Sequence, residues 1–176
     1  MLILQGSKIN ISVCVALYKR EIWNGIEMPK GYICEDWYVT PDLYLRASKV
    51  VFTPAPWYMY RDNPQSTMGT LIKKCNPQVI DVCRHAIDVC KSDSEQLYSA
   101  TLWSNLKRVW KFVGIIYARG SQKEEKDFLD QVRSLLKMYY NDANHSGKMN
   151  LQERIGVWSF CYCELLCELL YKLKKR

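Results

Sequence analysis

The feature that most restricts what this chain can fold into is a helical periodicity running from Val79 to Leu173 with little interruption. Apolar residues recur at helical spacing as Val79, Val82, Cys83, Ala86 and Cys90, and then as Leu102, Leu106, Val109, Trp110, Val113 and Tyr117. Two further stripes follow, one through Phe128, Val132, Leu135 and Tyr139, the other from Ile155 through Trp158, Tyr162, Leu165 and Leu169 to Leu173. An apolar stripe of this kind has to be covered, so the region is predicted as three or four amphipathic helices. Ser92 with Glu95, Ser121 with Glu124 and Asn150 with Glu153 have the spacing of capping boxes and mark helix starts. Gly120 is placed to stop the second of these helices, and Asn141 to Gly147 reads as a polar loop.

The chain changes character near Gly69. Before it, short apolar and aromatic runs alternate with Gly and Pro: Ile9 to Tyr18, Tyr32 to Cys34, Val50 to Thr53, and Trp57 to Tyr60. Three of these runs have strand length and β-branched or aromatic content, with residues 41–48 as a short helix between two of them. The expected fold class is therefore an α/β portion over residues 1–69, followed by a mostly α-helical region over 70–176.

At 176 residues, with 48% hydrophobic and 24% charged content, the chain has material for a substantial core. Its net charge of +7 comes from cations scattered among acids and apolar residues, without the basic stripe and stacking aromatics of a nucleic-acid reader, so no nucleic-acid partner is expected. The eight cysteines read as reduced core residues in a cytosolic protein. Cys161, Cys163 and Cys167 lie in one helical pattern where Cys161 points away from the other two, so no metal site is expected there. Glu164 and Glu168 interrupt the most apolar stretch, and no membrane span is expected. The closing Lys172-Leu173-Lys174-Lys175-Arg176 has two readings: cations complementing a helix C-terminus, or a basic foot giving peripheral contact with an anionic membrane.

Chemistry concentrates in Gly31-Tyr32-Ile33-Cys34-Glu35-Asp36-Trp37. Thr40 and Pro41 read as cap and first residue of the helix that follows. A carboxylate ahead of a helix start meets the positive end of the helix dipole, a setting suited to a general base. Helix capping by Asp36 beside a surface Glu35 is the structural alternative.

Taken in order, Leu17-Tyr18-Lys19-Arg20, Pro29-Lys30-Gly31, Glu35-Asp36, Tyr58-Met59-Tyr60-Arg61 and Ser66 resemble bacterial family 2 glycosyltransferases of the GT-A fold. The resemblance covers roughly residues 9–70, corresponding to the second half of that domain with its helical extension behind it. It implies transfer of a sugar from a nucleotide-diphosphate donor to an acceptor hydroxyl with inversion, in making a cell-surface polysaccharide at the cytoplasmic face of the membrane. It gives Asp36 the role of general base and Glu35 a supporting one. Arg61 is expected to meet the leaving diphosphate, or else to pair with Asp62, and Ser66 to hydrogen-bond near the phosphates. Trp37 offers an acceptor sugar a stacking face, or a ring to the core.

The departures from that pattern are as informative. The family holds the nucleotide in an amino-terminal half ending in an Asp-x-Asp motif with a divalent metal, Mn or Mg, yet residues 1–31 contain no Asp. Ala16 stands where the family often has a longer polar residue. The expectation is an acceptor-side carboxy-terminal portion that binds no metal by itself and works with a complementing amino-terminal half or as a homo-oligomer. The alternative is a non-catalytic helical interaction protein that retains a glycosyltransferase-derived fragment.

Overall fold

The computed structural model describes residues 12–55, 57–59, 61, 63 and 75–174. Two short 3-10 turns, Val13–Val15 and Arg20–Trp23, lead to α1 (Glu35–Arg46). Further along the chain come α2 (Gln78–Asp93), α3 (Glu95–Arg119), α4 (Lys126–His145), α5 (Leu151–Tyr162) and α6 (Glu164–Lys174).

The longest helix, α3, is the axis of the assembly because it presents apolar residues to several neighbours. Leu102, Leu106, Val109, Val113 and Ile116 are buried in one core with Val79, Val82 and Cys83 of α2 and Val132, Leu135 and Leu136 of α4. Trp103, Trp110 and Tyr117 recur on α3 at helical spacing and receive α5 and α6. Trp103 donates its indole N–H to Glu153 at 3.1 Å, Trp110 meets Phe160 edge-on, and Tyr117 stacks on Tyr171. In turn α1 lies on α2, and Trp37 enters the same core. No described helix is long and apolar enough to cross a membrane.

The helix starts follow local chemistry. Asn150 accepts from the Glu153 amide at 2.9 Å while the Glu153 carboxylate accepts from the Asn150 amide at 3.0 Å, a complete capping box as the spacing predicts. Replacing Asn150 with Ala should lower unfolding stability by about 1 kcal/mol, read from the urea midpoint; an unchanged midpoint would show that the box contributes nothing here. Gly120 ends α3 in the left-handed region at φ 74°, where its amide bonds back to Ile116 and Tyr117 carbonyls.

The α/β expectation for the first part is corrected: no strand exists among the described residues. Val13–Val15 is a 3-10 turn, Ile33 and Cys34 are loop and helix cap, and residues 50–53 and 57–59 form no regular secondary structure. A strand needs a neighbour to take its amides and carbonyls, and β-branched composition does not supply one. Helix α1 begins at Glu35, not at 41, and encloses Pro41. Pro41 lacks the N–H that would reach the Trp37 carbonyl, while the Thr40 hydroxyl donates to the Asp36 carbonyl at 2.5 Å.

Three boundaries also move. Ser94 caps α3 by accepting from the Leu97 amide at 3.3 Å, whereas Ser92 stays inside α2 with its hydroxyl on the Val89 carbonyl at 2.9 Å. Helix α4 starts at Lys126 and runs through the predicted loop to His145. The last helix is broken at Cys163, whose backbone at φ −146°, ψ 82° separates α5 from α6.

Buried thiols and phenols make the fold sensitive to alkali. Burial pushes the Cys161 thiol up to about 11 and drives Cys83 further upward. Burial and the Asp142 carboxylate, which accepts the Tyr98 hydroxyl at 2.6 Å, raise Tyr98 as well. Below the ordinary thiol pKa, about 8.5, both folded and unfolded chains keep these protons and stability is at its full value. Above it the unfolded chain releases protons that the folded chain retains, so stability falls as pH rises. The urea midpoint should be flat up to about pH 8.5 and decline toward about 11; a midpoint unchanged across that window would contradict the assignment.

Candidate functional site

The site is built on the first turn of α1. Cys34 caps the helix from the left-handed region, φ 60° and ψ 34°, which for a residue with a Cβ costs about 1–2 kcal/mol. That conformation turns its carbonyl toward the helix, where it accepts from the amides of Trp37 at 3.0 Å and Tyr38 at 3.2 Å. Gln78 at the start of α2 holds the lead-in loop from both sides, accepting from the Ile33 amide at 3.2 Å and donating to the Gly31 carbonyl at 3.4 Å. The thiol of Cys34 is raised by burial and by the neighbouring Glu35, with Arg108 acting against them.

Glu35 and Asp36 are the first two residues of α1 and are both half-buried. The amino-terminal dipole of the helix favours carboxylates at these positions. Consecutive helical residues point about 100° apart, so the two groups do not converge on one ligand. Asp36 accepts the Ser12 hydroxyl at 2.5 Å. The pKa of the Tyr18 phenol is raised by burial, then by Tyr44 of α1, then by Asp36, and its hydroxyl has no hydrogen-bond partner among the described residues. Arg46, at the far end of α1, donates to the carbonyls of Ile22 at 3.4 Å and Asn24 at 2.5 Å. This ties the Arg20–Trp23 turn to α1.

Trp37 lies in the core, 6% exposed, with its indole N–H donated to Asn105 at 2.9 Å and the Arg108 guanidinium 5.1 Å above its ring. Of its two expected roles, sugar stacking and packing, this burial corresponds to packing, with Asn105 on the ring edge and Arg108 over one face. Burial lowers the pKa of Arg108. Beyond Trp37, Tyr38 stacks face to face on His85 with ring centres 3.7 Å apart, and His85 Nε2 lies 3.3 Å from Asp42. These contacts fasten α1 to α2 and α3.

Of the remaining predicted site residues, Arg61 is exposed, while Ser66 lies outside the described residues, as does Asp62. Among the described residues no group of three or more His, Cys, Asp or Glu side chains is placed to hold a metal ion. Sequence reasoning passed over Ser12, Tyr44, Gln78, Asn105 and Arg108. Asn105 alone left a usable trace, as a polar residue inside the apolar face that runs through Leu102, Leu106 and Val109.

No family model matches the chain, and no curated protein or solved structure matches it.

Proposed function

We propose that this chain is the acceptor-side, base-bearing portion of an inverting glycosyltransferase, acting at the cytoplasmic face of a membrane in cell-surface polysaccharide synthesis. The observation that supports this reading is the placement of Asp36, from the third of the family-like segments, on the first turn of a fastened helix, where its carboxylate accepts the Ser12 hydroxyl. In the reaction the acceptor oxygen attacks the anomeric carbon while the Asp36 carboxylate takes the acceptor's proton. The bond from that carbon to the nucleoside diphosphate breaks, and the leaving group departs with the electron pair. Ser12 orients the Asp36 carboxylate, and Arg61 and Ser66 serve the leaving diphosphate. A divalent metal on the diphosphate would supply charge neutralisation in the complete enzyme. The described residues offer no converging donors for it, so no step here is routed through one.

The test begins with the DNA ahead of Met1. An in-frame segment with an Asp-x-Asp motif, which when joined to this chain transfers sugar from a nucleotide-sugar donor, is the expected outcome. An unrelated neighbouring sequence, or a joined protein without transfer, would overturn the reading.

A second reading, a helical interaction protein without catalysis, is favoured by the stretch from Val51 to Met59, where Val51, Phe52, Trp57 and Met59 are exposed. Trp57 at 83% and Met59 at 90% exposure place large apolar surface in water. Under this reading the chain captures a partner polypeptide through that stretch and turns over no nucleotide sugar. Replacing Trp57 with Ala should then weaken that capture and leave the unfolding midpoint unchanged, because the ring packs on so little.

A further inference from the structure

We infer that the outer face of α5 and α6 docks on an anionic bilayer surface. On α5, Leu151, Ile155, Trp158 and Tyr162 recur every three or four residues and are all exposed, although the opposite face of the same helix buries Val157, Phe160 and Cys161. Past the break at Cys163 the pattern resumes on α6 with Leu165, at 81% exposure, and then Leu169 and Leu173, while Cys167 faces inward. Core packing therefore accounts for one side of these helices and leaves a second apolar side in water. Trp and Tyr among leucines, with cations at the margin, is the composition of a helix lying in the headgroup boundary.

The charges select the occupant. Every carboxylate on α5 and α6 is answered by a cation: Glu153 by Lys107 at 2.5 Å, Glu164 by Arg133 at 3.7 Å, and Glu168 by Lys172 at 3.8 Å. Lys137 and Arg154, by contrast, have no carboxylate within ion-pair distance among the described residues. Lys137 lies 5.3 Å over the Tyr162 ring, and Arg154 donates to the Met149 carbonyl at 3.1 Å. The sequence then adds Lys174, Lys175 and Arg176. An apolar face bordered by surplus positive charge suits a surface that offers both hydrocarbon and phosphate. A second copy of the chain would bring another +7 against the same border. Docking of this kind goes beyond the transferase reading and stands without it.

The experiment is sedimentation of the full chain with vesicles. It should pellet with phosphatidylcholine vesicles containing phosphatidylglycerol, remain in solution with phosphatidylcholine alone, and bind less as salt is raised. Leu165→Ser combined with Leu169→Ser should cut partitioning roughly a hundredfold with the helical circular dichroism unchanged, because both side chains already face water. On the parent protein, lipids brominated in their acyl chains should quench part of the tryptophan emission, a readout that needs no variant. Absence of pelleting, equal binding to neutral vesicles, or no quenching would overturn the inference. So would a dimer seen by light scattering that the double substitution dissolves, which would give the face to a second copy. The readout is lipid binding, so failure of the transferase assay leaves this result intact and the reverse also holds.

Discussion

Replacing Trp37 with Ala should lower unfolding stability by about 3–5 kcal/mol, the range for deleting a large buried aromatic side chain. The ring is the plug by which α1 enters the common core, and its loss leaves a cavity between α1 and α3. It also strips Arg108 of the face that lies under its guanidinium, in surroundings where burial already lowers the pKa of that group. A charge left in such a place without its partner is costly. Trp37→Phe separates the contributions: it keeps an aromatic face but removes the N–H donor to Asn105, leaving that oxygen unanswered at about 1–3 kcal/mol. Urea unfolding of the three proteins, with equal slopes, gives both values. A Trp37→Ala midpoint equal to the parent would mean that α1 is not anchored through this ring.

The start of the same helix shows why the sequence was only partly readable. Pro41 and Thr40 look like a helix start because proline is at home in a first turn, but the start is set six residues earlier by the Cys34 carbonyl. That carbonyl is correctly aimed only because Cys34 adopts a left-handed backbone, which nothing in its chemistry announces. Where a boundary is made by side chains a few residues apart, as with Asn150 and Glu153, spacing was sufficient. Near the start of α3 spacing favoured the wrong serine: Ser92 has Glu95 at box spacing, yet it bonds backward to Val89 inside α2 and Ser94 is the cap. The break at Cys163 carries no Gly or Pro. The periodicity therefore passed across it unmarked.

For the site, Glu35 and Asp36 were legible as a pair because they are adjacent, but the sequence placed them ahead of a helix start whereas they lie inside the first turn. Their surroundings were not legible. Ser12 reaches Asp36 across 24 residues of sequence, and Asn105 and Arg108 arrive at Trp37 from another helix. The strand expectation failed for a related reason: Val50, Val51 and Phe52 have strand composition, but pairing belongs to two segments and composition to one.

Asp36→Asn carries the second large effect. Asn has nearly the shape of Asp and can still accept the Ser12 hydroxyl, so helix α1 and its packing should persist. What it cannot do is take up the acceptor's proton, and general-base catalysis typically contributes about 10²–10⁴ in rate. The loss should appear in kcat with donor affinity preserved, because the group acts on the proton that moves in the transition state. Glu35→Gln should fall between this variant and the parent, as suits a neighbour that points about 100° away along the turn. The measurement is sugar transfer from a nucleotide-diphosphate donor by this chain joined to its upstream coding segment, comparing the parent with Asp36→Asn at equal donor occupancy. A fall of about 10²–10⁴ in turnover with unchanged donor binding is the expected result; turnover equal to the parent would contradict the assignment of Asp36 as the base.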